Sequence, residues 1–277
     1  MKWQTFGHKR AKEILEKQLD SAVFPHAYLF TGPEGVGKKT LALEFARAVL
    51  KTDDLSKHPD FQILDAPGEI TVDLALDFIG KLGFKPFFGA KKIAVINNAQ
   101  NLNPQSGNAL LKTLEEPSPS TIIILIAGSA RLLPTIVSRC QVFNFNAFTR
   151  EFLEDFAESE KLSLKPEMLE LSFGSPAKLK MLAGDPDLFA AEKQVIARYQ
   201  KIQNLTLGEK LAAINEFAEF EAPQLAQNFR SWMLWQWVQL KRQPESFGKV
   251  RALGEAFLGL QMNKNKKLIL QTLFLKI

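Results

Sequence analysis

A phosphate-binding loop is the clearest chemical signal in the sequence. Residues 32–40 contain the pattern G-x-x-x-x-G-K between an apolar run at 27–30 and a helical pattern. Gly35 and Gly37 let backbone N–H groups turn toward phosphate oxygens where a Cβ would intrude, and Lys38 adds a positive charge beside the terminal phosphates. The predicted nucleotide-binding residues are Gly32, Gly35, Gly37, Lys38, Lys39 and Thr40.

Two departures from the ATPase pattern argue against hydrolysis. The residue after the loop lysine is normally Ser or Thr, whose hydroxyl binds Mg²⁺; here it is Lys39, and Thr40 lies about a hundred degrees further around the helix. The apolar run at 93–96 ends in Asn97 and Asn98, where active ATPases place an Asp for the metal and a Glu for water. An amide supplies neither a metal-binding charge nor a base. Binding of ATP or ADP stays open, whereas hydrolysis and a metal site are not predicted.

Composition and length indicate an ordinary globular chain of two or three packed units. The 277 residues are 46% apolar and 23% charged, and no stretch reaches the roughly 18 uninterrupted apolar residues of a membrane span. The first residues lack the apolar core of a secretion signal. The single cysteine, Cys140, cannot form an internal disulfide or a cysteine zinc cluster, and we expect it to be a small buried apolar residue. These features predict a cytoplasmic protein without membrane contact.

Positive charge is concentrated at the end of the sequence. The net charge is +5, and residues 241–277 hold eight basic side chains against only Glu245 and Glu255. The basic residues are Lys241, Arg242, Lys249, Arg251, Lys264, Lys266, Lys267 and Lys276. This basic segment fits contact with nucleic acid or an acidic partner. A solvated helix surface is the commoner cause of such a charge run and is the interpretation we favour.

The first half of the chain alternates short apolar runs with helical patterns. This alternation predicts an α/β fold with a parallel sheet covered on both faces. Strands are predicted at 27–30, 61–64, 92–96, 122–126 and 142–145. Helices are predicted at 39–50, 72–82 and 108–116, the last of them stopped by Pro117. The β-branched run at 122–126 is typical of a strand buried on both faces.

The second half of the chain has helical patterns only. Thr149 is a predicted N-cap, and a helix pair at 165–182 is followed by a turn at 184–186. Trp232 and Trp235, three residues apart, are predicted to share a helix face and to pack in a core rather than to stack on bases. The predicted domain boundaries are 1–147, 148–186 and 187–277.

Four segments of the sequence are more specific than these general patterns. They are PHAYLF at 25–30, which leads into the glycine loop, HPD at 58–60, NALLKTLEEP at 108–117 and LPTIVSRC at 133–140. On these segments the chain resembles the delta-prime family of bacterial DNA polymerase III clamp-loader subunits, within the AAA+ group. The resemblance is strong over residues 24–145, moderate through 174–176 and only architectural beyond that point.

The resemblance implies a three-domain subunit of a ring-shaped complex. Residues 1–147 would form an AAA+ α/β P-loop domain, 148–186 a small helical lid and 187–277 an all-α collar that assembles the ring. The implied partners are the gamma/tau and delta subunits, the sliding clamp and, through the complex, primed DNA. The chain would be a non-hydrolysing subunit, without polymerase or ATPase activity of its own, in a complex that loads the clamp with ATP bound by gamma/tau.

Arg139 is the residue to which the resemblance assigns chemistry. The Ser-Arg-Cys segment of the family supplies an arginine finger to the neighbouring subunit, and it falls here on residues 138–140. A fixed guanidinium would stabilise charge that develops on the neighbour's γ-phosphate. The alternative is that Arg139 pairs with a local carboxylate, as most single arginines do.

The chain departs from the family pattern in two regions. The cysteines that form a zinc module in many members are missing, because residues 51–57 are few and contain none, so zinc is not expected. At the position of the nucleotide-sensing arginine of active relatives stands Ala177, and the adjacent Lys178 is expected to point elsewhere. Ser129 is the one polar candidate for a first sensor.

Two other functional classes stay open from the sequence alone. One is an active AAA+ ATPase of the gamma/tau type, against which Lys39, Asn97, Asn98 and Ala177 all count. The other is a free-standing P-loop kinase or transferase, in which the helical second half and the Ser-Arg-Cys segment would have no role.

Overall fold

A computed structural model of the chain describes residues 3–66, 68–128, 132–240 and 246–277. The chain forms two compact units, which we call the first and second unit. The first comprises Met1–Phe148 and Ser175–Ala177, and the second comprises Thr149–Gly174 and Lys178–Ile277. The division into three domains at 147 and 186 stays a prediction.

The first unit contains a five-stranded parallel sheet in the order β2-β3-β4-β1-β5. Its strands are β1 (Ala27–Thr31), β2 (Phe61–Asp65), β3 (Lys92–Asn97), β4 (Thr121–Ala127) and β5 (Gln141–Asn144). All pairings are parallel, so the strands start at one edge of the sheet, which we call the amino edge, and finish at the opposite carboxyl edge. This confirms the predicted α/β fold with a parallel sheet.

The central strand β4 explains how the sheet is buried. Every residue of Thr121–Ala127 is buried, because helices cover both faces. Ile122, Ile124 and Ile126 pack in one core cluster with Tyr28 and Phe45. The alternate residues of β4 pack in a second cluster with side chains from the helices on the other face. The strand is therefore apolar from Ile122 onward, as the predicted run at 122–126 indicated, and Thr121 at its start is polar.

Helices α1 to α5 of the first unit are Lys9–Ser21, Lys38–Leu50, Val72–Gly80, Pro104–Glu115 and Pro134–Val137. Helix α4 begins four residues before the predicted start, because the Asn103 side chain accepts a hydrogen bond from Ser106 N and Pro104 occupies the first turn. Helix α1 was not predicted, although Ile14, Leu15 and Leu19 recur at helical spacing and pack against the core. The predicted helix at 72–82 ends at Gly80 and continues as a 3-10 turn over Lys81–Gly83.

The described part of the second unit is helical. Helices α6 to α13 are Arg150–Ser159, Pro166–Leu171, Pro176–Gly184, Pro186–Gln203, Leu207–Ala218, Ala222–Gln239, Phe247–Gln261 and Lys266–Lys276. Thr149 caps α6 by accepting from Phe152 N (3.4 Å). Trp232 is fully buried and stacks on Tyr199 (5.2 Å between ring centroids), which confirms its core role, while Trp235 is half-buried. None of the described helices has the length and apolar character that a membrane span requires.

Candidate functional site

The glycine loop lies at the carboxyl edge, between β1 and α2. Gly32, Gly35 and Gly37 all have positive φ, at 145°, 72° and 100°. At Gly32 the requirement for glycine is also steric, because a Cβ there would lie 2.0 Å from the backbone oxygen of Phe145. The structure therefore places the predicted glycines in backbone conformations that other residues seldom adopt. Thr40 is exposed on the first turn of α2.

The Lys38 ammonium is turned into its own loop. The residue is 6% exposed, and its ammonium donates hydrogen bonds to Gly32 O (2.6 Å) and to Pro33 O. Burial lowers the pKa of Lys38 from 10.5 to about 8, and the nearby charge of Glu34 acts in the opposite direction. The positive charge is therefore held at the loop by carbonyl oxygens of the chain itself.

Two further segments of the first unit contact the tip of the loop. Ala177 N donates to Gly35 O (3.2 Å), and a Cβ on Gly35 would lie 2.1 Å from the Ser175 hydroxyl oxygen. On the other side, His8 Nε2 donates to Val36 O (2.6 Å). Ala177, which stands at the sensor position, thus contacts the loop through its backbone.

Lys39 is bound to a carboxylate that the sequence reading missed. Its ammonium donates to Asp65 Oδ2 (2.5 Å), and Asn97 Nδ2 donates to Asp65 Oδ1 (2.7 Å). The hydrogen bond from Lys39, and then that from Asn97, hold the pKa of Asp65 below its usual value. Asp65 directly follows a predicted strand and so reaches the same edge as the loop, which is the signal that could have found it. Lys39, Asp65 and Asn97 form what we call the carboxyl-edge network.

Amide side chains also lie at this edge. Asn98 adopts a left-handed conformation (φ 54°) directly after β3. Gln100, which the sequence reading also missed, accepts a hydrogen bond from Gly128 N at the end of β4 (3.0 Å). Ser129, the predicted first sensor, lies outside the described residues. The part of the edge that the structure describes thus offers amides where active ATPases place carboxylates.

Arg139 lies at the amino edge, just before β5. It is half-buried, its NH2 group donates to Glu115 Oε1 (2.7 Å), and its NH1 group donates to Thr135 O (2.8 Å). Within the described chain, no residue accepts a hydrogen bond from Nε. The local ion pair considered from sequence is present in the single chain, and the role as an arginine finger stays a prediction.

Lys178 forms an ion pair within the second unit, and Cys140 packs against the core of the first unit. The Lys178 ammonium pairs with Glu192 (3.0 Å) inside the second unit and lies 4.4 Å from the centroid of the Phe173 ring. Cys140 is half-buried beside the core, and burial raises the pKa of its thiol to about 11, so it is mostly protonated at neutral pH. No group of three or more His, Cys, Asp or Glu suited to a metal occurs within the described ranges, and the absence of zinc stays a prediction.

Some of the basic side chains at 241–277 form ion pairs or hydrogen bonds within the chain. Lys276 and Arg251 both bind Glu255 (3.0 Å each), and Lys266 donates to Phe220 O (2.8 Å). Lys264 and Lys267 are exposed. Lys241, Arg242 and Glu245 lie outside the described residues. Contact of this segment with DNA stays a prediction.

A parallel sheet with a glycine loop between its first strand and the following helix defines the class of P-loop nucleotide-binding α/β proteins. Within that class, the profile of the family described as "DNA polymerase III, delta subunit" matches residues 7–149. The chain therefore belongs to this DNA polymerase III subunit family, and its resemblance to the delta-prime members is confirmed.

Named relatives show how far the similarity extends. DNA polymerase III subunit delta' of Pseudomonas aeruginosa is 35% identical over 183 residues, which are 57% of this chain and 56% of that protein. Subunit delta' of Bacillus subtilis is 29% identical over 182 residues (58% and 54%). Subunit tau of Bacillus subtilis is 32% identical over 186 residues (60% and 33%). The chain thus spans about half, or less, of the length of the curated relatives that it matches.

A solved structure supports the fold over nearly the whole chain. The gamma subunit-related DNA polymerase III protein of Thermotoga maritima superposes with a TM-score of 0.51 and 19% identity, covering 94% of this chain and 97% of that one. At this identity the likeness shows the fold alone. It agrees with the predicted order of an α/β domain followed by helices.

Proposed function

We propose that the chain is a non-hydrolysing subunit of the DNA polymerase III clamp-loader complex that donates Arg139 to a neighbouring ATPase subunit. The carboxyl-edge network is the observation that carries this proposal. Lys39 stands where a metal-binding hydroxyl would be, and Asn97, where a metal-orienting Asp would be, donates its amide to Asp65. With its own site lacking these groups, the chain would contribute to ATP chemistry only through another subunit.

The proposed chemistry of Arg139 is electrostatic. When a γ-phosphoryl group transfers to water, negative charge spreads over its oxygens, and a fixed guanidinium lowers the free energy of that state. Glu115 and Thr135 hold NH2 and NH1, so Nε and the second N–H of NH2 face no described acceptor. Those donors would bind the neighbour's phosphate oxygen.

The proposed partners follow from the family. They are the gamma/tau and delta subunits in a hetero-oligomer, the sliding clamp, and primed DNA reached through the complex. The glycine loop would hold ATP or ADP without hydrolysing it, since the cradle is present and the catalytic groups are replaced. The proposed setting is the cytoplasm, with no membrane contact.

Reconstitution tests the proposed finger. Arg139→Ala is expected to lower ATP turnover at the neighbouring site by about 10³-fold, the low end for a lost arginine finger. Arg150→Ala is the control, because Arg150 also makes a partly exposed ion pair, with Glu154 (3.0 Å), but on α6. Steady-state ATPase of the complex with DNA and clamp is the measurement, and assembly is checked by size exclusion. Equal turnover for Arg139→Ala and wild type would remove the finger.

An active ATPase of the gamma/tau type is the second candidate. The 32% identity to subunit tau of Bacillus subtilis and the positive φ angles of the loop glycines favour it. An ATPase assay of the isolated chain distinguishes the two candidate functions. We expect it to show no ATP turnover above background with Mg²⁺, and turnover at a gamma/tau-like rate would establish the alternative.

A further inference from the structure

A cavity of about 300 Å³ lies at the amino edge of the first unit, opposite the edge that carries the glycine loop. The end of α3 and the 3-10 turn after it supply Ile79 and Leu82 to its wall, and the sheet supplies Ile123. Lys112 of α4 and Glu116 directly after that helix also line it. Pockets that hold small ligands have volumes of about 300 to 1,000 Å³, so the cavity is large enough for one.

Two buried polar atoms of this cavity have no hydrogen-bond partner. Thr121 is 5% exposed, and its Oγ1 and the Nε2 of His26 are buried without a partner among the described residues. Both residues line the cavity. Buried polar atoms are nearly always paired, because an unpaired one costs free energy. Each of the two atoms therefore requires a partner that enters the cavity.

Strand pairing brings the two polar residues close together. His26 directly precedes β1, and its carbonyl accepts a hydrogen bond from Ile123 N (2.8 Å), two residues after Thr121. Ala27 pairs with Ile123 in the parallel ladder. Paired strands lie about 4.8 Å apart, so one small molecule can reach both side chains.

The fold itself does not require the Thr121 hydroxyl. Thr121 and Ile123 are alternate residues of β4 and so lie on the same face of the sheet, where Ile123 packs with side chains of α3 and α4. Valine has nearly the shape of threonine and would fill this position without burying an unpaired hydroxyl. The hydroxyl is thus unfavourable for folding unless a ligand binds it.

We propose that the cavity binds a small uncharged heterocycle whose edge carries an N–H beside a C=O, as in a cyclic amide. The Thr121 hydroxyl donates to the ligand C=O, and the His26 imidazole, as the tautomer protonated at Nδ1, accepts from the ligand N–H at Nε2. Ile79, Leu82 and Ile123 contact the apolar faces of the ring.

The charges at the cavity favour an uncharged ligand. Lys112 and Glu116 are exposed, and neither side chain has a hydrogen-bond or ion-pair partner among the described residues. They lie one helical turn apart, so their opposite charges largely cancel at the cavity. An ion inside it would lose its hydration without meeting a net opposite charge.

Water alone would fill this cavity poorly. The volume corresponds to about ten water molecules at roughly 30 Å³ each, and a buried water needs two to four polar partners. Several of the walls are the apolar side chains Ile79, Leu82 and Ile123. An apolar ring with one polar edge matches these walls and the two unpaired atoms better than a cluster of waters does.

Methyl NMR on the full chain tests the proposal with 2-quinolone, a bicyclic cyclic amide. We expect saturable shifts of the Ile79, Leu82 and Ile123 methyl signals with a Kd of about 1 mM, and no shift of Ile269 in the second unit. Quinoline, which lacks the amide edge, and 1-methyl-2-quinolone, which lacks the N–H, should each bind at least about tenfold more weakly.

Two variants test the polar partners. Thr121→Val should raise the Kd of 2-quinolone about tenfold and leave that of quinoline unchanged, and it should melt at or above the wild-type temperature because an unpaired hydroxyl is removed. His26→Leu should also weaken 2-quinolone binding. Thr52→Val, in the first unit but outside the cavity, is the matched control and should change Kd less than about twofold.

Several results would overturn the proposal. If no probe produced a saturable shift, or if the shifts lay at methyl groups away from the cavity, the cavity would hold only water. Equal Kd values for 2-quinolone and quinoline would exclude recognition of an amide edge. A clearly lower melting temperature of Thr121→Val would show that the hydroxyl is bound within the chain. The proposed clamp-loader role would stand in each of these cases, because it does not depend on the cavity.

Discussion

The two edges of the sheet differ in whether their functional side chains are bound within the chain or left available to other molecules. At the carboxyl edge, Lys38 is bound by carbonyls of its own loop and Lys39 by Asp65. At the amino edge, Arg139 has N–H donors that no described residue accepts from, and the loop at residues 84–91 exposes the phenyl groups of Phe84, Phe87 and Phe88. At the carboxyl edge, which binds nucleotide in P-loop proteins, the lysines named above are bound by groups of the chain itself. The amino edge instead exposes donors and apolar groups that could contact other molecules. This contrast agrees with the proposed role, in which the unit acts on a neighbouring subunit and not at its own loop.

The largest expected effect on stability concerns Asp60, which holds the loop at residues 84–91 of the amino edge. Asp60→Asn should lower the free energy of unfolding by about 2 kcal/mol, because one buried oxygen acceptor for a backbone N–H is lost. Asp53→Asn is the control, since Asp53 is exposed nearby in the sequence. Urea unfolding followed by circular dichroism gives both values. Equal stability of the two variants would mean that the hydrogen bonds from Phe87 N and Phe88 N to Asp60 do not stabilise the fold.

The next effect tests how Arg139 is positioned. Glu115→Gln should reduce ATP turnover of the reconstituted complex about tenfold, because a neutral amide holds the guanidinium less firmly than a carboxylate does. Glu116→Gln provides a matched control on the adjacent exposed carboxylate. If Arg139 acts on a neighbour, kcat falls while the apparent KM for ATP stays unchanged. Equal effects of the two substitutions would show that Glu115 has no positioning role.

A pH profile tests the burial of Lys38 at the carboxyl edge. Burial holds the folded-state pKa at about 8, below the ordinary 10.5, so between these values the unfolded chain binds more protons and stability rises with pH. From pH 8 to about pH 9 this rise should reach about 1 kcal/mol. Lys38→Met should lack it, and Lys85→Met, at an exposed lysine, should keep it. Parallel profiles for wild type and Lys38→Met would place the ammonium in solvent instead.

The smallest expected effect concerns the carboxyl-edge network. Asp65→Asn should cost less than about 1 kcal/mol at neutral pH, because its ion pair with Lys39 is partly exposed. The pKa of Asp65 is lowered in the folded state, so its contribution is present above the ordinary carboxyl pKa and is lost as pH falls through the folded value. Wild type and variant should therefore converge in acid and in high salt. A difference that persisted in acid would exclude the ion pair as its source.

The strands and the glycine loop were predictable because their signals are local. A strand buried on both faces shows as a continuous apolar run, which in β4 is 122–127. A backbone at positive φ, such as that of Gly37, favours glycine, because other residues are strained there. Helix α1 packs Ile14, Leu15 and Leu19 against the core, but its start has no capping signal, because His8 makes no side-chain cap hydrogen bond.

The groups that complete the site were not predictable, because they depend on register and on long-range packing. Asp65 meets Asn97 only because β2 and β3 pair in the register that aligns these residues. Asp60 and Lys92 are charged, so their residue types predict surface positions. Their burial follows from hydrogen bonds to the backbone of residues 81–88, which the sequence does not show. Pairing of Arg139 with a local carboxylate was one of the two interpretations drawn from the sequence. The sequence did not identify Glu115 as that carboxylate.

The buried side chains of Asp60 and Lys92 also determine how the free chain behaves before it binds a partner. A flexible loop could fold its phenyl groups back against the protein, but Asp60 and Lys92 hold this one open. A chain without its partners would therefore keep this apolar patch exposed and would tend to aggregate. Its solubility should rise when Phe87 is replaced by serine. For a cell, the cost of making more of this chain than its partners can absorb would be precipitation, which favours synthesis matched to assembly.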